Sequence, residues 1–100
     1  MEFLRKLFGL GPKVNYKELV ANGAKILDVR SEGEFASGHI SGSVNIPVDQ
    51  IPKRMPEVLK LQEPLIVCCK SGMRASMAMA QIKKAGVKEI YNAGGWTKLK

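Results

Sequence analysis

One segment of this 100-residue chain restricts its fold more than any other, a short apolar run that leads directly into a cysteine-containing loop. Residues 65–68 read Leu-Ile-Val-Cys and predict a buried strand; the next six residues read Cys-Lys-Ser-Gly-Met-Arg. Apolar side chains then recur at helical spacing over residues 75–82. A strand, a tight loop and a helix in this order direct backbone N–H groups into the loop, and the helix N-terminus adds partial positive charge. Because such a field favours a thiolate, we predict that Cys69 is a nucleophile beside an anion-binding loop.

Short strand patterns alternate with helical patterns along the rest of the chain. Strands are predicted near residues 25–29, 44–46, 65–68 and 89–91, with helical stretches between them. Strands separated by helices form parallel sheets with both faces covered, and the sites of such sheets lie at the carboxyl ends of the strands. We therefore predict an α/β fold in which a parallel sheet has helices on both faces.

Polar capping residues mark where the predicted helices begin. Asn15 is expected to start the first helix, and Ser31 with Glu34 three residues later has the pattern of a capping box for the second. Asp49 is expected to cap a third helical stretch, which Pro56 should kink or divide into two short helices. The residues of that stretch predicted to face inward are Ile51, Met55, Val58 and Leu59.

Composition and charge narrow the class of protein. Apolar and charged fractions of 45% and 25% are ordinary for a globular domain. No apolar run approaches the roughly 20 residues that cross a bilayer. The net charge of +7 lies largely near the two ends; it favours anionic substrates or partners, and without a recognition motif it does not predict a nucleic-acid partner. Two adjacent cysteines make no disulfide framework, and a working thiol fits a reducing compartment, so we predict a cytoplasmic protein.

Three segments together resemble the rhodanese family of sulfurtransferases. Residues 27–47 contain Asp-Val-Arg, Glu-Phe and Gly-His-Ile-Ser-Gly-Ser-Val-Asn-Ile-Pro, which resembles the amino-terminal signature of that family. The loop at residues 69–74 resembles its active-site loop, and residues 91–96, Tyr-Asn-Ala-Gly-Gly-Trp, resemble its carboxy-terminal Gly-Gly signature. The resemblance covers about residues 14–96. Because Trp96 follows the glycines at once and the chain ends soon afterwards, we expect the last helix to be short or missing.

The resemblance implies a three-layer α/β fold, with a central parallel sheet of about five strands and helices on both faces. It also implies a chemistry and a set of site residues. Cys69 would accept a sulfur atom as a persulfide, while Asp28 and Arg30 would support the site. The loop residues expected to bind the anionic sulfur species are Lys70, Ser71, Gly72, Met73 and Arg74. Four residues separate Cys69 from Arg74, one fewer than in the related cysteine phosphatases and arsenate reductases, so the loop suits sulfur better than a tetrahedral oxyanion. No metal site and no cofactor are expected, since no spaced cysteine pairs or phosphate-binding glycine fingerprint occurs.

Each of these residues also has a simpler interpretation. Cys69 is alternatively a structural cysteine, and Arg74 a surface arginine paired with an acidic neighbour. Lys70 is alternatively a solvated lysine. Cys68 precedes Cys69 on the strand, so its side chain should point to the other face and into the core; a resolving thiol is the less favoured interpretation. His39 lies in a turn and is expected to be structural rather than a general base.

The chain divides into an extension and a domain. Residues 1–12 are predicted to form an amphipathic N-terminal extension, and residues 13–100 a rhodanese-like domain. In the extension, Phe3, Leu4, Leu7 and Phe8 share one helical face, which favours a docked or frayed helix over a membrane-binding or partner-binding one.

Two functions remain open. The first is a sulfurtransferase that moves sulfur from a small donor, thiosulfate or a persulfide, to a thiol or protein acceptor. The alternative is a carrier of persulfide sulfur, or an interaction module, with the same fold and no turnover of its own.

Overall fold

A four-stranded parallel sheet forms the centre of residues 14–100, the part of the chain described by the computed structural model. The strands are β1 (Lys25–Asp28), β2 (Val44–Asn45), β3 (Leu65–Cys69) and β4 (Ile90–Gly95), in the spatial order β2-β1-β3-β4. The predicted fold class is confirmed, with four strands in the described residues where about five were expected. The predicted extension, residues 1–12, lies outside the described residues.

Four α-helices connect or flank the strands. They are α1 (Tyr16–Ala21), α2 (Glu32–Ser37), α3 (Met55–Leu59) and α4 (Met73–Lys84). The described residues also contain two 3₁₀ turns, Val48–Gln50 and Trp96–Leu99. The second is the short final helix that we expect from the sequence. None of the helices in residues 14–100 combines the length and apolar character needed to span a bilayer.

The predicted caps of the first two helices are confirmed. Asn15 Oδ1 accepts a hydrogen bond of 3.0 Å from the N–H of Glu18. Ser31 and Glu34 form a reciprocal capping box: Ser31 Oγ accepts from the N–H of Glu34 at 3.2 Å, and Glu34 Oε1 accepts from the N–H of Ser31 at 3.1 Å. These caps satisfy N–H groups that have no partner inside the helix, and each typically stabilises a helix by about 1 kcal/mol.

The third helical stretch differs from its prediction in two respects. It is divided into Val48–Gln50 and α3, as Pro56 indicated, but Asp49 does not cap it because this residue lies inside the 3₁₀ turn rather than before it. Leu59 is 47% exposed, so its predicted inward orientation is wrong. The physical reason is that α3 has only five residues, and the inward side of so short a helix is filled by Val58.

Alternate residues of β3 supply the two core layers. Leu65, Val67 and Cys69 pack with α3 and α4 on one face, and Ile66 and Cys68 pack with α1 and the C-terminal turn on the other. All five β3 side chains are buried. Burying an aliphatic side chain contributes about 1.5–3 kcal/mol, so this strand is a main source of the fold's stability.

A β-bulge near the end of β4 determines what lies beside the cysteine loop. Val67 pairs with Asn92, but the next residue, Cys68, pairs with Gly94, so Ala93 is an extra residue on β4. This shift places Gly94 and Gly95 opposite the last two residues of β3. The bulge therefore brings backbone without side chains against the cysteine loop.

Candidate active site

The loop between β3 and α4 surrounds the sulfur of Cys69. Sγ accepts a hydrogen bond of 2.9 Å from the N–H of Gly72, the N-cap residue of α4. Gly72 has φ +104°, a conformation that a residue with a β-carbon rarely adopts. A β-carbon there would also lie 3.2 Å from Gly94 Cα. Both facts explain why this loop position requires glycine.

The backbone around Cys69 stabilises its thiolate. The side chain is fully buried, and burial raises the pKa of a thiol. Opposing it are the nearby backbone N–H groups of Ala75, Gly72, Ser71 and Arg74, which together hold the pKa of Cys69 below its ordinary value.

Cys68 has the opposite environment. Its side chain lies in the other core layer, as predicted. Burial, followed by the negative charge of Asp28, raises the pKa of Cys68 to about 12. The Cys68 thiol therefore stays protonated at neutral pH.

Arg74 pairs with an acidic neighbour, which was the alternative interpretation of this residue. Its Nη1 and Nη2 donate to the two carboxylate oxygens of Glu34 at 2.6 and 3.1 Å. Arg74, followed by the N–H of Ser31, lowers the pKa of Glu34 to about 2. Glu34 thus uses one carboxylate both to cap α2 and to hold the start of α4. That Arg74 binds a sulfur donor stays a prediction.

Asp28 and Arg30 form a buried ion pair at the carboxyl edge of the sheet, at 2.7 Å. Arg30 Nη2 also donates to the carbonyl of Gly38 at 2.8 Å, and its guanidinium lies 4.5 Å from the centre of the Trp96 ring. Asn45 Nδ2 donates to the carbonyls of Asp28 and Arg30, each at 2.9 Å. The pair therefore joins β1, α2, β2 and the C-terminal turn.

The remaining predicted residues are placed around this centre. The Lys70 side chain is exposed, and the Lys70 carbonyl lies against Gly95, where an added β-carbon would be only 2.8 Å away. Met73 is 75% exposed at the start of α4. His39 stacks on Phe35 and makes a 2.7 Å hydrogen bond with the Phe35 carbonyl, an arrangement that serves the turn.

A shallow open groove runs along the outer side of the loop, with a volume of about 430 Å³. Gly72 and Met73 line one side of it, and Asn92 and Gly94 line the other. Lys98 is the charged residue in its lining, and none of the described residues forms an ion pair with it. No group of His, Cys, Asp and Glu in residues 14–100 is arranged to hold a metal ion.

Sequence reasoning missed several residues that shape the site. Glu34 was assigned only to a helix cap, and Asn45 and Asn92 were given no separate role. Asn92 Nδ2 donates to the carbonyl of Gly72 at 3.1 Å, across 20 positions of sequence. No local pattern indicates such a contact; the only signal is an amide side chain two residues before the paired glycines.

The rhodanese-like domain family has a sequence profile that matches residues 12–100 of this chain. The chain belongs to this family. Among the relatives of this chain, the uncharacterised protein YqhL of Bacillus subtilis is 38% identical over 72 residues, which make up 72% of this chain and 56% of YqhL. The thiosulfate sulfurtransferase GlpE of Stutzerimonas stutzeri is 37% identical over 73 residues, 73% of this chain and 66% of GlpE.

A third relative is named for a different role. YrkF of Bacillus subtilis, provisionally named as a sulfur carrier protein, is 40% identical over 67 residues, 67% of this chain and 36% of YrkF. The chain thus spans about a third to two thirds of the length of these three relatives.

Solved rhodanese structures share the fold. A human single-domain sulfurtransferase, TSTD1, superposes with a TM-score of 0.65 at 26% identity, over 84% of this chain and 87% of that one. The Bacillus anthracis CoADR-RHD structure gives a TM-score of 0.70 at 34% identity, over 83% of this chain but 14% of that one. The same domain therefore occurs both alone and as a small part of a larger protein.

Proposed function

We propose that this rhodanese domain is a sulfurtransferase that carries a sulfane sulfur as a persulfide on Cys69. The observation that carries the proposal is the 2.9 Å hydrogen bond from the Gly72 N–H to Cys69 Sγ at the carboxyl end of the central strand, where backbone N–H groups lower the pKa of the thiol. A thiolate attacks sulfur far faster than a thiol does, so these groups supply the reactive form.

In the first half-reaction, the Cys69 thiolate attacks the outer sulfur of a donor such as thiosulfate. A sulfur–sulfur bond forms to Cys69 as the bond between the outer sulfur and the sulfonate sulfur breaks, and sulfite leaves with the electron pair of that bond. The enzyme retains one sulfur as a persulfide anion. The N–H groups that stabilise the thiolate are in place to stabilise this anion as well.

In the second half-reaction, a thiophilic acceptor attacks the outer sulfur of the persulfide. Cyanide becomes thiocyanate, and a thiolate of a small molecule or protein becomes a persulfide; in both cases Cys69 leaves as the thiolate, so no external oxidant or reductant is needed. A relay of this kind gives ping-pong kinetics. The reaction needs a reduced Cys69, which is the reason for proposing a cytoplasmic location.

The charge around the loop favours an anionic donor. Arg74 is neutralised by Glu34, whereas Lys70 and Lys98 lie beside the loop without an ion pair among the described residues. We therefore propose that these two lysines attract the donor and that the loop backbone binds the transferred sulfur. Arg74 would reach the donor only by releasing Glu34.

The names of relatives support both forms of the proposal. GlpE is named as a thiosulfate sulfurtransferase and TSTD1 as a single-domain sulfurtransferase, which supports turnover. YrkF is provisionally named as a sulfur carrier, which supports the alternative that this domain loads sulfur once and delivers it to a protein.

Intact mass spectrometry tests the proposal. Incubation of the reduced protein with thiosulfate should add the mass of one sulfur atom, and cyanide should remove it while thiocyanate appears. Sustained formation of thiocyanate would identify an enzyme. A persulfide that forms from a protein persulfide but not from thiosulfate would identify a carrier, and no sulfur uptake from either donor would contradict both.

A further inference from the structure

The side chain of Asn92 connects β4 to the cysteine loop. Its Nδ2 donates to the carbonyl of Gly72 at 3.1 Å, and its Oδ1 accepts from the N–H of Gly94 at 2.8 Å. A carbonyl only accepts and a backbone N–H only donates, so rotating the amide by half a turn would lose both hydrogen bonds. The amide of Asn92 is therefore fixed in one orientation.

Gly72 is held on both sides of its backbone. Its N–H donates to Cys69 Sγ at 2.9 Å, and its carbonyl accepts from Asn92 and from the N–H of Ser76, the latter at 2.9 Å. Glycine has the greatest backbone freedom of any residue, and Gly72 has no side chain of its own to restrict it. Its N–H and its carbonyl belong to neighbouring peptide groups joined by its φ and ψ angles, so hydrogen bonds that fix the carbonyl restrict the direction of the N–H.

The regular register of β4 brings Asn92 to this position, and the bulge that follows it brings the glycines against the loop. In the strand register Asn92 pairs with Val67, which shares a core layer with Cys69, so Asn92 lies on the Cys69 side of the sheet. Ala93 packs in the opposite layer, and the glycines after it leave the loop free to approach β4. Bulges of this kind often redirect a side chain next to a functional site.

We infer that Asn92 is a positioning residue for Cys69: by holding the carbonyl of Gly72, it keeps the N–H of Gly72 directed at the sulfur. The inference rests on the proposed function in one respect, that Cys69 is the reactive thiol. It assigns Asn92 no contact with donor or acceptor.

Replacing Asn92 by leucine tests the inference, because leucine has the same branched shape and the same number of side-chain heavy atoms but forms neither hydrogen bond. The rate of alkylation of Cys69 by iodoacetamide is measured against pH, with intact mass confirming one modified site. We expect the midpoint in Asn92→Leu to rise by about one pH unit, which leaves about tenfold less thiolate at pH values below both midpoints. Persulfide formation from thiosulfate at neutral pH should fall by a similar factor.

Tyr16→Phe is the matched control. Tyr16 Oη donates to the backbone carbonyl of Asn92 at 3.3 Å, so this variant removes a hydrogen bond from the same residue without affecting Gly72. Its midpoint should equal that of the wild type. Asn92→Ala, which adds no bulk, replaces the leucine variant if the latter does not fold.

Each outcome decides the inference. A folded Asn92 variant with an unchanged midpoint would overturn it, even if sulfur transfer were lost. Failure of both variants to fold would also overturn it, because Asn92 would then belong to the framework of the fold. If the Asn92 variant shows the expected midpoint shift but the wild-type protein takes up no sulfur, the proposed function is refuted and the inference still stands.

Discussion

Cys68 and Cys69 are adjacent on one strand and equally buried, yet the two faces of the sheet give them opposite chemistry. On the Cys68 face the thiol meets apolar side chains and the negative charge of Asp28, and its pKa rises to about 12. On the Cys69 face burial also opposes ionisation, but the N–H groups of the loop and of α4 lower the pKa below its ordinary value.

The difference shows that burial alone does not decide whether a cysteine reacts. What separates the two thiols is the supply of unpaired backbone N–H groups, which the end of a strand and the start of a helix provide and the middle of a sheet does not. Around Cys68, one position earlier on the strand, the backbone N–H and C=O groups are already hydrogen-bonded within the sheet.

Replacing each cysteine in turn should have the largest effect on sulfur uptake. Cys69→Ser should abolish sulfur uptake from thiosulfate, because serine cannot form a persulfide. Cys68→Ala should retain most of the uptake and lower the free energy of unfolding by about 1 kcal/mol, since it removes one buried sulfur atom. Intact mass and urea unfolding measure the two effects. Sulfur uptake in Cys69→Ser would reverse the assignment of the two faces.

Changing the size of the loop should have the next largest effect. One glycine inserted between Gly72 and Met73 would move the N–H groups away from Cys69, and misplacement by about 1 Å can reduce a rate by about 100-fold. Thiocyanate formation measures the loss. The unmodified protein should hydrolyse aryl phosphates at a negligible rate, because we expect a loop with four residues between Cys69 and Arg74 to suit sulfur better than a tetrahedral oxyanion. Robust phosphatase activity would contradict this account of the loop.

The pH dependence of alkylation tests the two environments directly. Cys69 should alkylate with a midpoint below the value of about 8.5 for a free cysteine, because the N–H groups stabilise its thiolate. The midpoint is the informative quantity, since burial slows the reagent at every pH. In the Cys69→Ser protein, the remaining Cys68 should stay unmodified up to pH values that unfold the domain. Alkylation of Cys68 with a midpoint near neutral pH would show that the two thiols do not differ in this way.

A smaller effect is expected from Glu34→Gln, which breaks the ion pair with Arg74. Because the pKa of Glu34 is lowered to about 2 in the folded protein, its ionised form stabilises the fold above the ordinary value of 4.5, and this contribution disappears as the pH falls towards 2. The partly exposed pair should contribute about 0.5–1 kcal/mol at neutral pH. Urea unfolding of both proteins from pH 7 to 2.5 should show curves that converge at the acid end. A difference that grows with falling pH would have the wrong sign.

Removal of residues 1–12 should have the smallest effect on the chemistry. This segment contributes no residue to the loop, so the rate of sulfur transfer per molecule should stay within about twofold of the full chain. Circular dichroism establishes that the shortened domain is folded before rates are compared. A folded but inactive domain would place part of the site in this segment and move the domain boundary.

The features that sequence predicts correctly are those determined locally. The capping box of Ser31 and Glu34 and the strand before Cys69 each depend on residues within a few positions, and hydrophobic periodicity and cap chemistry report such features. Asp49 shows the limit even there, because a cap depends on where the turn begins.

The contacts that complete the site join distant parts of the chain. The pairing of Glu34 with Arg74 spans 40 positions and that of Asn92 with Gly72 spans 20. The packing of Trp96 on Arg30 likewise depends on how the C-terminal turn meets the sheet. A single sequence contains no periodicity that pairs such residues, so the choice between the two interpretations of Arg74 required the folded structure.

The separation of the two thiols also determines how this protein can recover from oxidation. Peroxide converts a reactive thiolate to a sulfenic acid, which is restored when a second thiol condenses with it and is lost permanently if oxidation continues. The chain has two cysteines, and Cys68 lies on the opposite face of β3, where no disulfide with Cys69 can close without breaking the strand. Restoration of Cys69 after oxidation therefore depends on a thiol from another molecule.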